Sequence, residues 1–204
     1  MRVAGESSGL EGTAARNDLD FEARLRQVPE SARVRGVFFR LLEQDLARRG
    51  LKESASWGWD RVLGEQPRSY RLYPVRPLLV AYATAGGLVA PVQSAGLRDI
   101  FRRNCVPYSE SWFGHGLKRF LQPDFLRALR WIEKCRDHFC DYGRWRVESE
   151  RDGMATIHMV DEYLWIESAH RGGCEGLLEA CGRTGEVTVE LDGPFAGRLN
   201  IRWS

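Results

Sequence analysis

Residues 144–204 read RWRVESERDGMATIHMVDEYLWIESAHRGGCEGLLEACGRTGEVTVELDGPFAGRLNIRWS, and their changing period decides the fold. Trp145 and Val147 alternate with Arg144, Arg146 and Glu148. After Asp152-Gly153, Ala155, Ile157 and Met159 alternate with Thr156 and His158. A period of two on both sides of an Asp-Gly pair predicts an antiparallel hairpin. Cys174, Leu177, Leu178 and Cys181 then recur at helical spacing, which predicts one buried helix stripe. Val187, Val189 and Leu191 resume the alternation, and Leu199, Ile201 and Trp203 follow the Asp192-Gly193-Pro194 turn. The order is strand, strand, helix, strand, strand. Each strand has one apolar and one charged face, as in an antiparallel sheet covered on a single side.

Gly172, Gly173 and Gly176 fall inside or beside the helix, where each interior glycine costs about 1 kcal/mol. That cost implies close backbone approach, assigned here to helix–sheet packing. Cys174 and Cys181 stand about 10 Å apart along the helix, beyond disulfide reach, and are read as core.

Upstream of Gly143 the period is helical. Ser31 caps a helix carrying Val34, Val37, Phe38, Leu41, Leu42 and Leu46, and Gly50 ends it. Residues 51–70 lack periodicity and read as loop or short turns. A helix after Pro74 buries Val75, Leu78, Leu79 and Tyr82 and breaks at Gly86-Gly87. Another starts near Pro91, Pro107 opens a further one to Leu121, and Pro123 begins the longest, ending at Tyr142-Gly143. The expected division is a flexible tail over 1–18, a helical lobe over 19–142 and the ββαββ module over 143–204. The fold class is α+β, with the lobe packed on a small four-stranded antiparallel sheet.

The helix-to-strand passage HFCDYGRWRVE (138–148), the segments GGCEGLLEACG (172–182) and EVTVELDG (186–193), and a final strand ending in Trp203 resemble an uncharacterised myxobacterial protein family. They are distantly similar to vinyl-reductase-type, haem nitric-oxide-binding and Bet3-like domains. The resemblance covers roughly residues 32–204 and implies a helical lobe on a small sheet, sometimes enclosing a pocket for a hydrophobic small molecule. Vinyl-reductase-type relatives often carry two cysteines near the last hairpin; LDGPFAGRLNIRW (191–203) has none. Haem-binding relatives use a Tyr-x-Ser-x-Arg triad and a helix histidine. Tyr108-Ser109-Glu110-Ser111 has neither that spacing nor the arginine.

Composition narrows the classes. The 204 residues are 43% hydrophobic and 28% charged, enough for a core. Thirty basic against twenty-eight acidic residues leave a net charge of +2, a balance that argues against nucleic acid as partner. No stretch reaches the roughly 18 apolar residues of a membrane span, and the first residues lack the apolar core of a signal peptide. A cytoplasmic location is therefore expected, and the five cysteines read as small buried hydrophobes.

The chemistry is sparse. Cys135, His138 and Cys140 invite a zinc reading, but on a helix Cys140 turns away from the other two, so no metal is expected. There is no strand-turn-helix nucleophile elbow, Walker loop or catalytic constellation. No enzymatic activity and no cofactor are expected. Aromatic residues gather where lobe meets sheet, and apolar pockets favour such junctions. Trp112, His115, Trp131 and Trp145 are the candidate ligand-binding residues. Arg98, Arg102 and Arg103, continued by Lys118 and Arg119, form a basic patch that is the candidate partner-binding surface. The expected function is a non-catalytic regulatory or sensory domain binding a small hydrophobic ligand. The alternatives are a protein-interaction or homodimerisation module and a haem-based sensor.

Overall fold

The computed structural model describes residues 18–51, 53, 57–110 and 124–204. Its C-terminal half follows the alternation read from sequence. Strands β3 (Arg144–Arg151), β4 (Met154–Val160), β5 (Gly185–Gly193) and β6 (Ala196–Trp203) form one antiparallel sheet in the order β3-β4-β6-β5. Trp145 pairs with Met159, Val147 and Leu199 both face Ile157, and Val187 pairs with Ile201. The apolar sets therefore share one face. The opposite face carries charges, among them Arg198 donating to Glu190 through Nε at 3.0 Å. Both outer strands are irregular, β3 between Glu148 and Arg151 and β5 between Leu191 and Gly193.

Seven helices are described: α1 (Phe21–Gln27), α2 (Val37–Arg48), α3 (Trp59–Leu63), α4 (Val75–Val89), α5 (Gln93–Glu110), α6 (Phe125–Cys135) and α7 (Arg171–Ala180). α6 starts where Asp124 accepts the Arg127 N–H at 3.1 Å, a side-chain cap for an orphan donor. It leads into a 3₁₀ turn at Arg136–His138, and α7 is preceded by a single π turn at Ile166–His170.

Several boundaries differ from the sequence reading. The residues assigned to the start of the Ser31-capped helix form β1 (Arg33–Arg35), paired with β2 (Leu72–Pro74), and α2 begins only at Val37. The Val34–Cys140 bridge and the Arg35 N–H to Phe139 carbonyl bond at 2.7 Å join this ribbon to the end of α6. The helix after Pro74 does not break at Gly86-Gly87 but runs to Val89. Pro107 lies inside α5, which makes α5 and not α6 the longest described helix.

The glycines account for the second of these differences. A Cβ on Gly96 would lie 2.0 Å from the Gly86 carbonyl oxygen, and one on Gly86 2.5 Å from that of Gln93. Turning tightly from α4 into α5 thus needs both residues bare. On another side of α5, a Cβ on Gly172 would lie 2.1 Å from Arg98 O, and one on Gly176 2.1 Å from Arg102 O. The close approach read from these glycines is real, but its partner is helix α5, not the sheet. Salt bridges flank it: Arg98 Nε donates to Glu175 Oε2 at 2.7 Å and Arg102 Nε to Glu179 Oε1 at 2.7 Å.

Two cores result. One joins α1 to α5 with Tyr142, Leu164 and Trp165; the other joins α6, α7 and the inner face of the sheet. Buried Arg24 sits within the first core, its guanidinium 5.1 Å from the ring centroids of both Trp165 and Phe195.

The seam yields a graded test. Gly176→Ala drives a methyl into backbone and is expected to destabilise by about 2–4 kcal/mol, in the range of overpacked or strained cores. Gly173→Ala meets nothing within 4 Å and is expected to be neutral or stabilising by up to about 1 kcal/mol through helix propensity. Urea unfolding of both variants checks the contrast.

Candidate functional site

Between the two cores lies a cavity of about 180 Å³. Among the described residues its wall takes Phe101 and Cys105 from α5, Leu129 and Ile132 from α6, Ile157 from β4, and Cys174 and Leu177 from α7. Val34, Tyr82 and Leu164 close it from the lobe side. Almost the whole surface is apolar, and the exception is one cluster.

Glu162 is the centre of that cluster. The chain leaves β4 through Asp161 in the left-handed region (φ 56°), a conformation aspartate tolerates better than most residues. Glu162 then turns inward, only 1% exposed. Its Oε2 accepts from Arg136 Nη2 at 2.7 Å and Trp145 Nε1 at 2.9 Å, and its Oε1 accepts from the Leu164 N–H at 3.1 Å. His170 Nε2 stands 3.2 Å from Oε1, off the line of a hydrogen bond. Burial opposes the charge, but the facing His170 and Arg136 outweigh it and hold the carboxyl far below the usual carboxylate range.

Arg136, 5% exposed, sits on the 3₁₀ turn with its guanidinium 5.2 Å from the ring centroids of Tyr142 and Trp145. Its Nη1 donates to Cys140 Sγ, while its Nε is buried without a partner. Trp145 and His170 meet edge to face at 4.9 Å. Burial pushes the Cys105 and Cys140 thiols up to about 12, so both are protonated at neutral pH and serve as soft apolar wall rather than nucleophiles.

Of the ligand-binding candidates, Trp145 lines the cavity, whereas Trp131 packs against the sheet-side core. Trp112 and His115 lie outside the described residues, as do Lys118 and Arg119. In the basic patch, Arg98 and Arg102 are held by Glu175 and Glu179, and Arg103 faces Asp99 at 3.4 Å. Cys140 faces the cavity and His138 the surface, so two of the three residues that suggested zinc point to different places. Sequence reasoning passed over Arg136 and Glu162. A signal existed: Arg136 falls four residues after Ile132 and four before Cys140, a charge on the apolar stripe of its helix.

The sequence family described as "Protein of unknown function (DUF2378)" matches residues 26–204. The chain belongs to this family. No curated protein matches this chain. In three dimensions the chain is similar to the unliganded Fe(II) H-NOX protein from K. algicida, with TM-score 0.64 and 13% identity over 83% of this chain and 96% of that one. It is also similar to an H-NOX protein from S. oneidensis in the Fe(II)NO ligation state, with TM-score 0.66 and 10% identity over 83% and 99%. At these identities the likeness establishes a shared fold: the DUF2378 chain has the H-NOX architecture, helical layer and antiparallel sheet together. Among its described residues, no helix is long and apolar enough to cross a membrane.

Glu162→Gln leaves Arg136 buried without a counter-charge and is expected to cost about 3–5 kcal/mol. The pH dependence carries the sign. Because the folded carboxyl is depressed, its contribution is complete above about pH 5, where an unfolded glutamate is ionised, and is lost as pH falls below that. Denaturant stability measured from pH 7 to pH 3 is expected to fall more steeply in the parent than in Glu162→Gln.

Proposed function

We propose that this chain is a sensory ligand-binding domain whose ligand, a small and largely apolar molecule, occupies the cavity between helical layer and sheet. The observation that carries the reading is the cavity itself, an apolar space set between two separately packed cores and lined by both. Well-packed interiors hold few voids larger than a water. An apolar cavity of about 150 Å³ stays dry and accepts benzene, so a volume of about 180 Å³ suits a molecule of roughly that class. The H-NOX neighbours, one of them described in an Fe(II)NO ligation state, support a ligand-binding reading of the fold.

Signalling follows from the lining. Phe101 and Cys105 belong to α5, and Cys174 and Leu177 to α7, the two helices whose backbones touch at Gly172 and Gly176. A ligand pressing on both walls shifts a seam with no flexible side chains to absorb the movement.

Haem is the group implied by the fold's neighbours, and the described residues do not fit it. The cavity falls below the roughly 300–1,000 Å³ of pockets that seat drug-sized ligands. His170, the histidine on its wall, turns Nε2 toward Glu162, and Arg136 is committed to Glu162 and Cys140. An imidazole set against a carboxylate and a cation already paired leave the described wall without a ready iron ligand or a free cation for propionates.

Native mass spectrometry of gently purified protein, with thermal-shift assays against a panel of small aromatic and aliphatic compounds, tests the reading. A retained small molecule or a saturable rise in Tm is expected, together with no Soret band after haem addition. A strictly unliganded mass with no shift across the panel would overturn it, and a stoichiometric Soret band would replace it by a haem sensor. Filling the space with Cys105→Phe is expected to abolish the ligand shift.

A further inference from the structure

From Pro77 to Leu97 the sequence holds no charged residue, although 28% of the chain is charged. Much of that run is interior, but α4 also turns part of it outward: Val80, Thr84 and Leu88 are all exposed. Residues four apart lie above one another on a helix, so the three form one stripe. The Thr84 hydroxyl donates to the Val80 carbonyl of its own helix at 2.9 Å, which satisfies the polar group of the stripe without water. Beside it Leu25 of α1, Trp57 and Val62 form a groove with Pro77 and Val80, and Val62 is exposed as well. Single exposed apolar side chains are ordinary, whereas a joined patch marks an interaction surface. Arg76, the charge at its edge, is committed to the Val28 carbonyl and to Glu30.

Symmetry and charge identify the occupant. Val80 and Leu88 stand equally far on either side of Thr84. A two-fold axis crossing the helix at Thr84 therefore sets Val80 against the partner's Leu88 twice, the self-complementarity that an isologous contact requires. α1 runs antiparallel beside α4, since Arg76 Nε reaches the Val28 carbonyl at 3.0 Å and the Ser94 N–H reaches Asp18 Oδ1 at 2.9 Å. Glu22 thus lies toward the Leu88 end and Arg26 toward the Val80 end. Both are exposed, and neither is in an ion pair among the described residues. The same axis brings Glu22 opposite the partner's Arg26, and Arg26 opposite the partner's Glu22. We propose that the outer face of α4 is the contact between two copies of this chain, packed antiparallel about Thr84 with α1 facing α1. Its size sets its strength. α4 spans 15 residues, about 22 Å, and with α1 beside it makes a face about 20 Å wide. That amounts to about 900 Å² for the pair before the shoulder of Trp57 and Val62 is added, which places the dimer among the smaller, reversible interfaces. Nothing in this contact depends on a ligand in the cavity.

Sedimentation velocity on the full chain, from about 1 μM to about 300 μM, the range of weak contacts, is expected to show a monomer passing into a dimer. Thr84→Arg puts two like charges on the axis and is expected to weaken association at least tenfold. Its circular dichroism is expected to match the parent, because residue 84 is exposed and arginine is a good helix former. Glu22→Lys and Arg26→Glu are each expected to weaken the dimer about threefold, and the two together to restore it, since exchanging both charges preserves the cross-contact. Mild oxidation of Thr84→Cys is expected to give a covalent dimer, because a residue on the axis meets its own twin. Val160→Cys, exposed on the sheet, is expected to give none beyond the parent baseline. A parent that stays monomeric throughout, a dimer indifferent to Thr84→Arg, or equal cross-linking of the two cysteine variants would overturn the α4 contact. Failure of the double exchange to restore association would overturn its antiparallel arrangement.

Discussion

Main chain against main chain, at Gly172 and Gly176 of α7 and residues 98 and 102 of α5, is the constraint on which the rest of this molecule depends. Two helices that approach without side chains between them hold their distance and rotation within narrow limits, and here the flanking Arg98–Glu175 and Arg102–Glu179 pairs add direction. Those pairs, one part-buried and one exposed, add little energy by themselves; the close approach sets the geometry. α7 also packs Leu177 and Leu178 onto the sheet side, while α5 carries Leu97 and Ile100 into the lobe. The position of the lobe relative to the sheet is therefore set at this seam together with the β1 link to the end of α6, and the cavity lies between the two cores.

The polar cluster solves a different problem. A carboxylate at 1% exposure is sustained only by full pairing, and Glu162 gathers its partners from four distinct segments: the turn after α6, strand β3, the chain after β4 and the π turn before α7. That spread makes the cluster a clasp at the polar end of the cavity. The π turn belongs to this arrangement, since its wider loop, with the His170 N–H reaching the Trp165 carbonyl at 3.3 Å, brings His170 to the wall just before α7 begins.

Much of this was legible in the sequence, and unevenly so. The four long strands and α7 announce themselves because an alternation sustained over seven to nine residues, bounded by Asp-Gly pairs, has no helical counterpart. β1 and β2 do not: three residues such as Arg33–Arg35 fit either period, and the helical pattern of Val34, Val37 and Phe38 captured them. Gly86-Gly87 reads as a break by local propensity, but tertiary packing at the α4–α5 corner outweighs that cost. Trp145 was found because large aromatics mark junctions. Arg136 and Glu162 escaped because a search for apolar stripes discards the charges that interrupt them, although an interruption of that kind is what a buried polar site looks like in sequence.

The irregular outer strands have one more consequence. A regular sheet edge offers a row of unpaired N–H and C=O groups on which another chain can add. Here both rims are spoiled, β3 by its bulge between Glu148 and Arg151 and β5 by its shift between Leu191 and Gly193, and bulges twist an edge away from a would-be neighbour. Strand addition is thus disfavoured at the hairpin end of each outer strand, while Arg144–Glu148 and Gly185–Leu191 keep a regular register.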